Sequence, residues 1–365
     1  MTFLDFFAGI GGFRKGMELA GHKCIGFCEW DEYARASYIS MHLISEEQRR
    51  KLSEMPLRQR QKEILKDEYL NGEWCATDIR TVDASNIPKA DCWCFGAPCQ
   101  DFSVGGKRRG LNGDRSSLVR EIFRILEEIR EEDRPEWLIY ENVTGMLSSN
   151  RGFDFLSILL EMDRGGYDIE WQVFKSSDFG VPQKRERVYT IGHLRRRGTR
   201  KILPIYGTDE QNRIRQVGHL DSDHRDNPSA YRVYDPKGLA PTLNTGGGVE
   251  ECHISLRIKE AVKRGYTIAY PGDSINLSLP NSKTRRGRVG RKVAHTLDTS
   301  CCQGTIIGKR IRKLTPKECF RLQGWDDEYF EKARFVNSDV QLYKQAGNGV
   351  TVNVVRAIAE RLTDG

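Results

Sequence analysis

Short apolar runs recur through the first half of the chain, and each has the length and composition of a strand. They are Thr2 to Phe7, Lys23 to Cys28, Trp74 to Thr77, Asp91 to Phe95, Trp137 to Tyr140, Ile169 to Phe174 and Arg187 to Ile191. Helical periodicity fills the gaps. Phe13 to Leu19 follows the first run. Leu118, Ile122, Ile125, Leu126 and Ile129 share one face of a helix predicted over Ser117 to Glu131, and Phe153 to Met162 repeats the pattern. Alternating strand and helix of this kind predicts an α/β fold, a doubly wound, mostly parallel, Rossmann-like sheet. Ser45 to Leu70 is densely charged, and it reads as two helices broken at Pro56 in an exposed insertion without chemistry.

From about Arg196 the pattern dissolves. Gly, Pro, Asn and Asp rise and the candidate strands shorten. Two stretches there, Arg232 to Gly246 and Arg288 to Thr299, share Arg-Val followed by Ala-x-Thr-Leu-x-Thr, a weak internal duplication. Regular structure resumes at Leu314. Thr315, Pro316 and Glu318 form an N-cap, a first-turn proline and a capping box, for a helix that stops near Gly324. A last helix spans Val350 to Leu362. The predicted division is therefore a large domain of residues 1–195 plus 310–365, and a smaller loop-rich domain of residues 196–309.

Composition narrows the class. With 38% hydrophobic and 30% charged residues among 365, and a mean hydropathy of -0.59, no run approaches the ~20 apolar residues of a membrane span. The N-terminus has no basic segment and carries Asp5 in its first apolar run, so no signal peptide is expected. Ten cysteines include no Cys-x-x-Cys pair, and seven histidines show no ligand spacing. Reduced thiols and no metal site are expected. The net charge is +7. It is concentrated in Arg195–Lys201 and Lys283–Lys292, two basic runs that suit phosphate contact better than a merely solvated face.

Candidate chemistry gathers at the predicted strand ends. Ala8-Gly9-Ile10-Gly11-Gly12-Phe13 is a glycine turn between strand and helix, where backbone can approach a ligand. It is not a dinucleotide fingerprint, because Arg14 stands where a third glycine would. Glu29-Trp30 closes the second strand, at the distance expected of a ribose-binding carboxylate. Gly96-Ala97-Pro98 breaks the fourth strand and presents Cys99 at its carboxyl end. The Gly- and Arg-rich segment from Asp101 to Gly113 follows, a candidate polyanion-binding loop. Trp137 to Tyr140 ends in Glu141, on the same sheet edge as Cys99.

In order, these blocks resemble the DNA (cytosine-5)-methyltransferases almost end to end. The resemblance is carried by Asp5–Phe13, Glu29-Trp30, Asp78-Ile79, Gly96-Ala97-Pro98-Cys99-Gln100, Glu141-Asn142-Val143, Gln183-Lys184-Arg185-Glu186-Arg187, Arg312–Leu322 and Gln345-Ala346-Gly347-Asn348-Gly349-Val350. Departures are mild: Phe6 stands where the family often has Leu, and Ala97 where Phe is frequent.

The resemblance implies S-adenosyl-L-methionine as methyl donor and a flipped-out cytosine in double-stranded DNA as acceptor. It implies Cys99 as the nucleophile at cytosine C6, Glu141 on the N3 and amino edge, and Arg187, with Arg185, on the O2 side. For the cofactor it implies Phe7, Gly9 and Gly12 on the methionine side, Glu29 on the ribose, Trp30, Asp78 and Ile79 at the adenine, Asn348 and Gly349 closing the pocket, and Pro98 as a further cofactor-binding residue. Gln100, Ser103, Arg108 and Arg109 would meet DNA on a closing loop. A Thr-Leu pair marks the recognition domain in this family; Thr242-Leu243 and Thr296-Leu297 both qualify, and the second is preferred.

A modification methylase of prokaryotic or phage origin is expected, cytoplasmic and monomeric, protecting DNA from restriction. The alternatives are a tRNA cytosine-5 methyltransferase, an inactive DNA-binding protein, and a nicotinamide-dependent oxidoreductase on the same architecture. The target sequence is not legible.

Overall fold

Seven strands form one sheet. In chain order they are β1 (Thr2–Phe6), β2 (Lys23–Cys28), β3 (Trp74–Ala76), β4 (Cys92–Phe95), β5 (Trp137–Val143), β6 (Tyr167–Lys175) and, after a two-residue β7 (Gln183–Lys184) outside the sheet, β8 (Glu186–Leu194). The spatial order is β3-β2-β1-β4-β5-β8-β6. The computed structural model describes residues 1–98, 118–198, 200–207, 216–219, 232–234, 256–280, 282–307 and 310–363. Cys99, Gln100, Ser103, Arg108, Arg109, Thr242, Leu243 and most of the Asp101–Gly113 and Arg232–Gly246 expectations lie outside those residues.

Five strands, β3 through β5, are parallel, and β8 runs antiparallel to both β5 and β6. The direction follows from the connection. Only residues 176–185 join β6 to β8, too few to cross the sheet and return in parallel. Register then fixes the functional edge. Phe6 pairs with Cys28 and Phe95, and Phe95 with Tyr140. The residues that follow, Phe7, Glu29, Gly96 and Glu141, therefore emerge side by side at the carboxyl ends of the strands. Because β8 is reversed, Arg187, paired with Val143, starts at that same edge.

Both faces are covered. On one, α5 (Leu118–Glu128) and α6 (Phe153–Arg164) bury Ile122, Leu126, Ile158 and Met162 against Leu4, Trp93, Leu138 and Tyr140. The other is covered by α1 (Gly12–Leu19), which follows the glycine turn, and by the last helix of the chain. α2 (Glu32–His42) begins with Asp31 accepting N–H bonds from Tyr33 and Ala34. α3 (Glu46–Ser53) and α4 (Leu57–Glu63) are the two helices expected around Pro56, and they are largely exposed, Leu52 being their one buried residue. The segment is nonetheless anchored: Leu52, Ile64 and Tyr69 are buried with Phe27, Tyr38 and Val336. Arg60 donates to the carbonyls of Leu52, Met55 and Phe335 and lies 4.0 Å over the Phe335 ring. Its stem covers apolar surface while its head satisfies carbonyls.

After residue 207 come β9 (Gln216–His219) and β10 (Arg232–Tyr234), then an antiparallel pair, β11 (Leu256–Lys259) and β12 (Tyr266–Ala269). β13 (Ser274–Asn276), β14 (Val289–Gly290), β16 (Gln303–Ile307) and β17 (Arg310–Lys313) form a sheet in the order β14-β13-β16-β17. Ile258, Ala269, Ile275 and Ile306 make its small core. β15 (Ala294–His295) leaves this region and pairs in parallel with β7. Past residue 196, Ile202 and Ile205 are buried with Trp137, Phe174 and Ile191 of the seven-stranded sheet. Glu170 and Gln172 of β6 accept the N–H groups of Ile202, Leu203 and Ile205. At the far limit, β17 runs past residue 309 and still pairs with β16.

The chain then returns to the seven-stranded sheet. α7 (Pro316–Arg321) carries the expected capping box, with Thr315 and Glu318 bonded reciprocally. α8 (Asp327–Arg334) and α9 (Asp339–Asn348) lead to α10 (Val352–Thr363), which packs on α1. That contact is close. A Cβ on Gly16 would stand 2.5 Å from Val355 side-chain carbons, and one on Gly12 2.6 Å from Val350 Cγ2.

Candidate active site

The carboxyl edge opens into a cavity of about 620 Å3, walled by both ends of the chain. Of the residues singled out in the sequence, it brings together Phe7, Gly9, Glu29, Trp30, Asp78, Ile79, Pro98, Glu141, Arg185, Arg187 and Asn348. Gly12 stands behind the glycine turn against Val350, and Gly349 meets Arg185 through its carbonyl. Pro98, the residue before Cys99, lines the cavity.

At one end the backbone is held in rare conformations. Phe7 (φ 55°), Gly9 (φ 58°) and Gly11 (φ 85°) all have positive φ. For Phe7 this costs about 1–3 kcal/mol, which the surrounding turn must sustain. His42 supports the turn from below, with Nε2 3.0 Å from the Ile10 carbonyl. A Cβ on Gly11 would stand 2.4 Å from that nitrogen. Burial holds the His42 pKa well below the usual histidine range, so the neutral ring donates to the carbonyl.

Glu29 is fixed by the backbone on both oxygens. Gly9 N–H donates to Oε2 and Asp31 N–H to Oε1, each at 2.7 Å. Burial pushes its pKa up, opposed by those two N–H groups. A carboxylate so oriented retains lone pairs for hydroxyl donors. Trp30 is 66% exposed. Arg80 lies 4.9 Å over its ring and forks the Asp78 carboxylate through Nε and Nη2. Sequence reasoning missed Arg80; its signal is the Asp78-x-Arg80 spacing on a turn. Lys344 was missed too. It pairs with Asp31 and, against the effect of burial, holds that carboxyl below its ordinary pKa. An aromatic face, a fixed carboxylate and a strained glycine turn fit an adenosine with a short amino-acid tail.

At the other end stands Glu141, 8% exposed, with Arg187 Nε 3.1 Å from its Oε1. Gly96 lies beside this corner; a Cβ there would sit 3.4 Å from Glu141 Oε2, in ordinary contact. Arg185, 3% exposed, is committed differently. Its Nη1 donates to the Gly347 carbonyl (3.3 Å) and its Nη2 to that of Gly349 (2.7 Å). The two arginines thus divide: Arg187 faces the carboxylate, and Arg185 ties the returning C-terminal segment to the sheet edge.

Thr296 and Leu297 are away from this cavity. The Leu297 side chain, expected at the DNA surface, is 2% exposed and packs with Cys301, Phe320 and Trp325. Its apolar character is spent on a core. Thr296 donates its hydroxyl to the Lys184 carbonyl at 2.8 Å.

Gly347 is a sharp test of this architecture. A Cβ there would fall 2.4 Å from the Asp298 carbonyl oxygen and 2.8 Å from Thr299 N, both backbone. Gly347→Ala is expected to destabilise the fold by about 1–3 kcal/mol. Thermal denaturation measures this; an unchanged melting temperature would contradict the packing described.

A family model described as C-5 cytosine-specific DNA methylase matches residues 1–364. Among curated proteins, the chain is 28% identical to type II methyltransferase M.HhaI of Haemophilus parahaemolyticus over 369 residues, covering 98% of this chain and 93% of that one. It is 29% identical to orphan methyltransferase M.SPBetaI of Bacillus phage SPbeta over 462 residues, covering 98% and 96%. Among solved structures, Entamoeba histolytica methyltransferase EhMeth superposes with a TM-score of 0.59 at 18% identity, covering 100% and 98%. S. pombe Dnmt2 methyltransferase does so with 0.57 at 17%, covering 99% and 97%.

Proposed function

The chain belongs to the C-5 cytosine-specific DNA methylases, and from that premise we propose that it transfers a methyl group from S-adenosylmethionine to C5 of a flipped-out cytosine in a specific duplex sequence, through a covalent Cys99–C6 intermediate. One observation carries the reading. The Glu141–Arg187 pair opens into the same cavity as Glu29 and the glycine turn, with Pro98 between them on its wall.

The chemistry needs each group. Cytosine C5 is a weak nucleophile. The Cys99 thiolate donates an electron pair to form the S–C6 bond, and the C5–C6 π pair moves to C5. Glu141 holds N3 and the amino group and places a proton at N3 as charge builds. Arg187 stabilises negative charge on O2. Glu29, Trp30, Asp78 and Asn348 would hold S-adenosylmethionine, which would supply an electrophilic methyl group; C5 bonds to it as the sulfonium–methyl bond breaks and S-adenosylhomocysteine leaves. A base then removes the C5 proton, the S–C6 bond breaks, N3 returns its proton to Glu141 and the thiolate is regenerated. Extruding the base costs a few kcal/mol of stacking. Of the two basic runs, the exposed Arg196, Arg197 and Lys283 supply phosphate contacts, whereas Arg195 is tied to Asp163 and Asp168 and Arg288 is buried. The role is that of a cytoplasmic modification methylase.

The test is incubation with methyl-labelled S-adenosylmethionine and mixed-sequence duplex DNA, read by bisulfite sequencing. Protected cytosines are expected in one sequence context. Transfer to tRNA with none to DNA, or to neither, would overturn the assignment.

A further inference from the structure

Strand β15, paired among the described residues only with the two-residue β7, is held with the residues after it by two buried glutamine side chains. On the large-domain side stands Gln183, wholly buried on β7. Its Oε1 accepts the Leu297 N–H at 3.0 Å, and its Nε2 donates to the Leu322 carbonyl at 2.8 Å. On the opposite side stands Gln303 of β16, 2% exposed. Its Oε1 accepts the His295 N–H at 2.9 Å, and its Nε2 donates to the carbonyls of His295 (2.9 Å) and Thr296 (3.1 Å). Ala294 N–H completes the seam on the Pro182 carbonyl. Four consecutive residues thus place their backbone groups on the two glutamines and on β7.

The seam joins two bodies. Gln303 belongs to the β13–β16 sheet of the smaller region, and Gln183 lies two residues before Arg185. From Gln183 a buried relay continues through Gln323, whose Oε1 accepts from Thr351 and whose Nε2 donates to the Ala346 carbonyl. Asp298, directly after the clamped strand, abuts Gly347.

We propose that Gln183 and Gln303 form a two-sided clamp on residues 294–297 that sets the smaller region against the catalytic edge, and that target-site discrimination depends on it. The proposal deepens the methyltransferase reading and rests on it for its DNA consequence. Both glutamines are positioning residues: neither lines the cofactor cavity. Buried amide partners are the right device here. Each saturates donors and acceptors that a short two-residue bridge leaves over, and each loses its bond if the strand slides by one residue.

Gln303→Met keeps length and removes all three bonds. It is expected to raise methylation outside the target sequence, relative to target methylation, by roughly tenfold, the scale set by leaving buried backbone groups unpaired. The cofactor dissociation constant should stay within about twofold. Amide exchange at His295 should accelerate. Gln183→Met, which removes the bonds to Leu297 and Leu322 from the other side of the clamp, should raise off-target methylation in the same direction, and it carries the test if Gln303→Met does not fold. Wild-type discrimination in a folded variant, or discrimination and cofactor affinity falling in step with melting temperature, would overturn the proposal. A wild-type protein that methylates no DNA would refute the methyltransferase reading instead, while exchange at His295 would still decide whether the clamp exists.

Discussion

Cys99→Ser is expected to abolish methyl transfer, by about four orders of magnitude or more, the scale of removing a catalytic nucleophile. The thiolate forms readily near neutral pH and a hydroxyl does not. The decisive assay is covalent trapping. Duplex DNA carrying 5-fluorocytosine at the target gives an adduct that cannot lose fluorine as a proton, so elimination stalls. Wild type should yield a denaturation-resistant complex in the presence of S-adenosylmethionine, and Cys99→Ser none. An adduct of equal yield in the serine variant would remove Cys99 from the mechanism.

Glu141→Gln is expected to lower kcat by about 10²- to 10⁴-fold, the range for a lost proton donor, with cofactor affinity within about twofold. The substitution preserves volume in a buried corner and leaves Arg187 facing an amide instead of a carboxylate 3.1 Å away. Since the glycine turn and Glu29 stand at the other end of the cavity, cofactor binding measured by calorimetry should barely change. A variant with near wild-type kcat would show that N3 is held by another group. Loss of cofactor binding would instead place Glu141 in the cofactor half.

Most of the frame was readable from the chain because its signals are local. Apolar runs such as Trp137 to Tyr140 can only be strands buried on both faces, and all seven expected strands join one sheet. The capping box at Thr315 and Glu318 is written in three residues. What escaped depends on partners distant in sequence. The reversed direction of β8 follows from a short connection that reads as an ordinary loop. The burial of Leu52, Ile64 and Tyr69 among arginines depends on Phe335 and Val336, far along the chain. A Thr-Leu pair looks the same whether its leucine meets solvent or a core, so the placement of Leu297 was not legible. Arg185 and Arg187 share one motif, yet only the fold separates a clamp on Gly347 and Gly349 from a partner of Glu141. The glutamine clamp leaves no pattern at all, since Gln183 and Gln303 are joined only through residues 294–297.

The wall of the cavity built from both ends of the chain also sets a timetable for synthesis. Gly12 and Val350, which pack together, are separated by 338 residues. At ribosomal rates of about 5–20 residues per second, roughly 20 to 70 s pass between their emergence. Throughout that interval the apolar face of α1 has no α10 to cover it, and the glycine turn has no closing segment. Until α9 and α10 are made, the cavity lacks the wall that Gln341, Lys344, Gln345, Gly347 and Asn348 supply, and α1 lacks its packing partner.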